Sequence, residues 1–379
     1  MTIHPIEEGR VMPRPGRFPS PNPLLPGAPA LYFQTDLAPG RLGHAAELMQ
    51  NEQVGVVITL TQQSYQSGLG SILADCRRAG ADLDGILLDA NCYSGKGRRV
   101  DTRLNPHWVT AQRRAGLRAQ LTDSPYLPAG DRDALTAILG QASRLGDGTV
   151  CVLALPLDWV TRDVEFLAEV INREGVPVAL ALEHAKDPLG VAKAVTGLAH
   201  LLDTSRVKIG MLRSDLSVIG AVAFGASWGA VGATSALRHI YPIKEGGGGR
   251  PATISALVPS CMAYRSLEMI AAGIAASPDN EIPWRCSCRF CTGLTIEPIA
   301  SSAAAYRHSL AAIALLGERV LMGPSVLARK HTWLQTCNHA QTVNLDISAT
   351  TGMNWEPPAF QGAWWKLYNK LPPLIPAPV

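Results

Sequence analysis

Eight short apolar runs, separated by stretches with helical spacing, are the strongest constraint on what this chain can fold into. They occupy residues 31–36, 54–60, 85–90, 117–123, 150–157, 176–182, 207–212 and 228–233. Each is six to eight residues long and bounded by polar or turn-forming residues, the pattern of strands buried on both faces. The intervals 67–81, 131–145, 161–175 and 189–202 carry apolar residues at helical spacing. Thr161, with Asp163 behind it, is placed to cap the third of these, and Gly175 to stop it. Strands that alternate with helices pair in parallel. Eight such units in roughly 200 residues predict an α/β fold of the (β/α)8 TIM-barrel type, with an open doubly wound sheet as the competing architecture. The interval 216–225 leaves room only for a short helix.

The remainder divides around that barrel. Residues 1–30 hold eight prolines and little periodicity, and read as an extended arm. The barrel takes 31–240, and 241–379 forms a C-terminal subdomain with a Trp- and Pro-rich tail. A chain that is 47% hydrophobic and 17% charged has ample material for a core, which excludes a disordered protein. No apolar run approaches the ~18 residues of a membrane span, and the first 30 residues lack a signal-like apolar stretch. The expectation is a cytoplasmic protein with no membrane partner. Its net charge of +3 is too small to argue for nucleic acid. The short basic patches 96–99 and 113–118, and the Gly-rich segment 244–250, read first as solvated surface.

Polar residues recur where the predicted strands end, which is where barrel active sites lie. They are Asp89 and Asn91, Asp123 and Ser124, Asp158 and Trp159, Glu183 and His184, then Arg213, Ser214 and Asp215, with Arg238 and His239 after the last strand. Some of them read equally well as helix caps. Carboxylates converging on one mouth repel one another unless a cation, a basic neighbour or a cationic transition state offsets them. Arg213 and Arg238 are the available basic neighbours.

Beyond the barrel, Cys286, Cys288 and Cys291 form a C-x-C-x-x-C cluster. Eight cysteines in a chain without an export signal favour a metal site over a disulfide framework. Three thiols so close need one more donor to complete a tetrahedral, structural Zn2+ site. The candidates are His308, His331, Cys337 and His339. The expected fourth ligand is His331, with His308 as the alternative. Trp355, Trp364, Trp365 and Tyr368 in the tail suit packing on their own domain or on a partner subunit, and an exposed Trp pair would favour a dimer.

With these residues in hand, the chain resembles the tRNA-guanine transglycosylase family as a distant member. The cysteine spacing, the following AYRHSLAAIALLG helix and the Leu121-Thr122-Asp123-Ser124 stretch carry the resemblance. It implies a zinc-stapled barrel and a pentosyltransferase that exchanges a purine or 7-deazapurine base at a ribose. The substrate would be tRNA, DNA or a nucleoside, and the assembly a homodimer or heterodimer. Asp123 would be the acid/base residue, with Asp89 a looser match for that role. Asp158 and Glu183 fall where the family recognises the base, and His184, Arg213, Arg238 and His239 are placed to assist binding. The family's nucleophilic aspartate has no counterpart in residues 229–234, which hold no carboxylate. Asp215 is the substitute nucleophile, and a non-catalytic subunit or a barrel enzyme of different chemistry are the alternatives.

Overall fold

The computed structural model describes residues 30–243 and 253–373. Eight parallel strands form a ring: β1 Leu31–Thr35, β2 Val54–Thr59, β3 Ile86–Asp89, β4 Gln120–Leu121, β5 Thr149–Pro156, β6 Val178–Glu183, β7 Ile209–Ser214 and β8 Trp228–Gly232. Their order is β3-β2-β1-β8-β7-β6-β5-β4, so β1 and β8 pair and the sheet curls into a barrel that is closed everywhere but between β3 and β4. The predicted barrel is therefore the observed architecture. The arm at 1–29 and the segment 244–250 lie outside the described residues.

Alternation along each strand sorts the side chains. Tyr32, Val57, Leu87, Leu121, Val152, Ala181, Leu212 and Trp228 fill the barrel interior, while Phe33, Val56, Leu88, Leu153, Leu180 and Val231 face the surrounding helices. Trp228 packs edge-on against Tyr32, with ring centroids 5.4 Å apart. Gly210 on the neighbouring strand makes space for it, because a side chain there would run into the indole.

The seam has a visible cause. The run predicted as strand 117–123 forms only two residues of ladder, and β4 is joined to β3 through the connection spanning residues 91–105. There the Asn105 and Arg99 groups bond Asp123, and the Tyr126 amide donates to the Arg99 carbonyl at 2.8 Å.

The C-terminal part adds an antiparallel pair, β9 Ser255–Val258 and β10 Ala263–Ser266, and the helices Leu267–Ala276, Ser302–Leu321, Val326–Thr351 and Ala359–Trp365. One continuous apolar core runs from the barrel into these helices. The short helix Val218–Ala223 is covered by Trp333 and Trp364, which cross at 87°. Trp355 and Trp364 are fully buried, so the aromatic tail packs on its own chain, as one of the two expected modes had it. Among the described residues no helix is long and apolar enough to cross a membrane.

Helix Ala192–Thr204 approaches helix Asp158–Thr161 so closely that a methyl group at Gly197 would meet the Val160 carbonyl. Gly197→Ala should therefore cost about 1–3 kcal/mol. Gly43→Ala, in a helix position with nothing nearby, should be neutral or gain up to ~1 kcal/mol. Denaturant midpoints of the two variants check the contrast.

Candidate active site and metal centre

Carried one step further, the inward alternation puts Gln34, Thr59, Asp89, Pro156, Glu183 and Gly232 on the top layer of the barrel. Asp89 is 1% exposed and sits in a donor network. Gln34 Nε2 (2.9 Å) and the Tyr93 hydroxyl (2.7 Å) donate to its Oδ2, and the Asn91 amide donates to Oδ1 at 2.9 Å. Burial pushes the Asp89 carboxyl up from the ordinary range, against the pull of the Arg213 charge. Arg213 occupies the left-handed region, φ 45°, and its amide donates to Gln34 Oε1 at 2.6 Å. An arginine held there is a local strain of the kind that gathers at functional sites. Buried Arg213 Nε and both ring nitrogens of buried His239 have no protein partner. Burial, reinforced by the neighbouring His184, Arg238 and Arg213 charges, holds His239 below its usual value.

Across the mouth, Glu183 is held by two groups. Arg98 Nη1 lies 2.5 Å from Oε1, and the Tyr126 hydroxyl donates to Oε2 at 2.6 Å. The Arg98 guanidinium also lies 3.7 Å over the Tyr126 ring. Asp123 is fastened rather than displayed. Its side chain is 0% exposed and accepts from Arg99 Nη1 (2.9 Å), the Tyr65 hydroxyl (3.0 Å) and the Asn105 amide (2.9 Å). Asp158 opens a helix outside the mouth and pairs with exposed Arg162 at 3.0 Å.

A cavity of about 340 Å³ opens beside the ends of β6 and β7, between the barrel and the C-terminal segments. Val191, Leu216, Met262, Pro358 and Phe360 supply its apolar walls, and His184, Lys186, Asp187, Asp215, Arg238 and Tyr264 its polar groups. An apolar cleft with few convergent polar groups on this face of a barrel is the expected setting for a ligand. Asp187 Oδ1 accepts from the Leu189 amide (2.9 Å) and the Ser217 hydroxyl (3.0 Å), while Oδ2 is buried without a partner. Burial, and then the negative charge of Asp215, push the Asp187 carboxyl up to about 7. Arg238 lies 3.6 Å over the Tyr264 ring, in the field of Asp215.

The candidate metal centre lies in the C-terminal part. Cys286, Cys288, Cys291 and His308 bring their ligand atoms within 4.8 Å of one another, and all four residues are buried. His308 Nδ1 stands 3.6 Å from Cys288 Sγ and 3.2 Å from Cys291 Sγ. Tetrahedral bonds of ~2.3 Å to sulfur and ~2.0 Å to nitrogen imply S···N separations of about 3.5 Å. The donor set therefore fits such an ion. His308 Nε2 lies 2.8 Å from the Leu257 carbonyl. That bond needs the proton on Nε2 and leaves Nδ1 free to ligate. The Cys288 thiol is drawn well below its usual range by hydrogen bonds to Cys286 and Cys291.

His331 is not in this cluster, which corrects the expected ligand set. It is buried against the tail, with Nε2 2.9 Å from the Pro372 carbonyl and its ring edge-on to Tyr368. His308 takes the place because the helix Ser302–Leu321 begins soon after Cys291 and turns that residue toward the sulfurs. Asp215, His184 and Arg238 meet in the cavity; Asp89, Arg213 and Glu183 belong to the mouth; Asp123 and Asp158 stand apart. Sequence reasoning did not reach Asp187, Tyr264 or Tyr126, and it read Arg98 as part of a solvated patch, whereas that side chain is mostly buried against Glu183. Asp187 precedes Pro188 and reads as a turn cap, which half of its carboxylate is.

No family model and no curated protein matches the chain. A solved structure of a D-threo-3-hydroxyaspartate dehydratase variant aligns at 13% identity with a TM-score of 0.26, over 53% of this chain. The alignment spans 58% of the dehydratase, and likeness at that level identifies neither fold nor activity.

Metal analysis of the purified chain should return one equivalent, lost in Cys288→Ser and His308→Ala and retained in His331→Ala. Chelation should lower the melting temperature of the wild type and leave that of His308→Ala unchanged.

Proposed function

We propose that the protein is a base-exchange transferase of the transglycosylase type, acting on the glycosidic bond of a purine-like nucleoside unit in tRNA, DNA or a free nucleoside. The observation that carries this reading is the carboxyl pair Asp187 and Asp215 in one cavity, with Asp187 pushed up to about 7 by its burial first and by the charge of Asp215 second. Environments that separate two carboxyls assign an acid and a nucleophile. Asp215 attacks the anomeric carbon as the bond to the departing base breaks, through a cationic, oxocarbenium-like state. Asp187 gives its proton to the leaving base. The incoming base then displaces Asp215 from the sugar and returns a proton to Asp187. Glu183, the last residue of β6 and next in sequence to the cavity residue His184, accepts from the base, and Tyr126 stacks on it. The metal of the Cys286, Cys288, Cys291 and His308 site is zinc in this reading, and structural, since four protein ligands leave no open position.

Exchange of labelled guanine into tRNA or DNA tests it. Asp215→Asn should abolish incorporation, and Asp187→Asn should lower it by about 10²–10⁴-fold. Wild-type activity should fall as pH rises through about 7, because Asp187 must begin protonated, and Asp187→Asn should flatten that limb. Stability carries the same signature. A carboxyl raised from 3.8 to about 7 on folding contributes stability fully present below pH ~4 and lost as pH passes 7. Asp187→Asn should remove that slope in melts across the window. No incorporation into any acceptor, with the slope intact, would favour a non-catalytic subunit, a reading to which the carboxylate-free β8 run Trp228–Gly232 contributes.

A further inference from the structure

Arg41, Arg98, Arg99 and Arg162 each place a guanidinium nitrogen 2.5–3.0 Å from a carboxylate, of Asp36, Glu183, Asp123 and Asp158 respectively. Arg213, at the end of β7, and Arg238, after β8, have no ion-pair partner among the described residues. Carbonyls of the segment 232–236 hold them instead. Arg213 Nη1 donates to Ala236 at 3.3 Å, and Arg238 Nε donates to Gly232 at 3.4 Å. The Tyr264 ring backs the Arg238 guanidinium at 3.6 Å. Both arginines are thus positioned without being neutralised. Buried Arg213 Nε and both ring nitrogens of buried His239 also lack a partner, so the region beside Arg238 is rich in donors and short of acceptors.

Arg238 lines the 340 Å³ cavity together with His184 and Lys186. Lys186 is exposed and, among the described residues, likewise has no ion-pair partner. Asp187 and Asp215 repel an anion in the same space. Burial favours the neutral form of Asp187, however, which sets two cations against Asp215. Holding a guanidinium aimed and half-withdrawn from water without a counter-ion is costly, and a ligand that brings the anion removes that cost. We propose that Arg238 and Lys186, with His184 beside them, bind the terminal phosphate of a small-molecule ligand in this cavity. A phosphate monoester carries the charge to match two cations, and a fixed, flat guanidinium suits its oxygens. The ends of strands seven and eight are a frequent place for phosphate on a barrel of this kind. The apolar walls and modest volume suit one nucleotide-sized molecule, not a polymer passing through.

The inference deepens the base-exchange reading by making its nucleoside unit a phosphorylated one, and it rests on that reading for the choice of nucleoside probe. Its test is binding to the full chain. Inorganic phosphate should raise the melting temperature of the wild type above that in chloride at equal ionic strength. Arg238→Gln should abolish that rise, and Lys186→Ala, at an exposed position, should reduce it. Guanosine 5′-monophosphate should bind about tenfold more tightly than guanosine, with the preference lost in Arg238→Gln. No phosphate-dependent rise in the wild type overturns the proposal, as does an equal rise in both variants. If Arg238→Gln fails to fold, Lys186→Ala decides, and an undiminished rise in that variant overturns it. An oligonucleotide without a terminal phosphate that binds as tightly as the monophosphate overturns the small-molecule assignment. Phosphate binding without base exchange would sink the exchange reading and leave the phosphate site standing. Exchange with no phosphate effect would do the reverse.

Discussion

A carboxylate withdrawn from water must be given donors or a proton, and this molecule withdraws four of them at one end of its barrel. Each is resolved differently. Asp123 receives an arginine, a tyrosine hydroxyl and a backbone amide, so it is fully satisfied and serves to bridge the one interval the strands leave open. Asp89 receives three side-chain donors and an amide, with Arg213 close by. Glu183 receives Arg98 and Tyr126 from segments that do not otherwise belong to β6. Asp187 alone is left with an oxygen that has no donor and a like charge in the same cavity. Asp123 and Glu183 are each paired with an arginine, Asp89 is met by donors although burial pushes its carboxyl up, and Asp187 is pushed up with one oxygen left without a donor. That contrast separates the group suited to acid–base work from groups suited to holding structure or ligand.

The fold was legible because barrel strands advertise themselves twice. Their apolar runs are continuous, since both faces are buried, and their polar endings mark the open face. What escaped was whatever depended on length or on distant packing. The run 117–123 is less apolar than its neighbours, with Arg118, Gln120, Thr122 and Asp123 among its residues, and only Gln120–Leu121 forms ladder, while the chain beyond is held by hydrogen bonds to residues 99 and 105. Whether Asp123 faces a ligand or a loop cannot be read from Leu-Thr-Asp-Ser. The loop that claims it lies some 20 residues earlier, and nothing in its local sequence points to residue 123.

The metal ligands show the same division. Three cysteines within six residues are self-evident, and the fourth donor is a choice between two helix-borne histidines that sequence spacing does not separate. In space they differ by what lies behind them. His308 has the Leu257 carbonyl to orient it toward the sulfurs, whereas His331 has the Pro372 carbonyl and Tyr368 in the tail. A β-strand carbonyl about 50 residues upstream decides the matter, and no local pattern reports it.

That carbonyl also joins the metal centre to the cavity. Leu257 lies in β9 and accepts from His308 through its oxygen, while its amide donates to the Ser309 hydroxyl at 3.0 Å. Its cross-strand partner in β10 is Tyr264, whose ring carries the Arg238 guanidinium into the field of Asp215. The metal cluster therefore fixes a helix, the helix fixes a strand by both of its main-chain groups, and the paired strand supplies a wall of the cavity. An ion held by these four donors would contribute folding free energy to the segment that carries the β9–β10 pair against the cavity. A Cys3His cluster outside the cavity can thus bear on the shape of the space around Asp187 and Asp215 through the strands and helix between them.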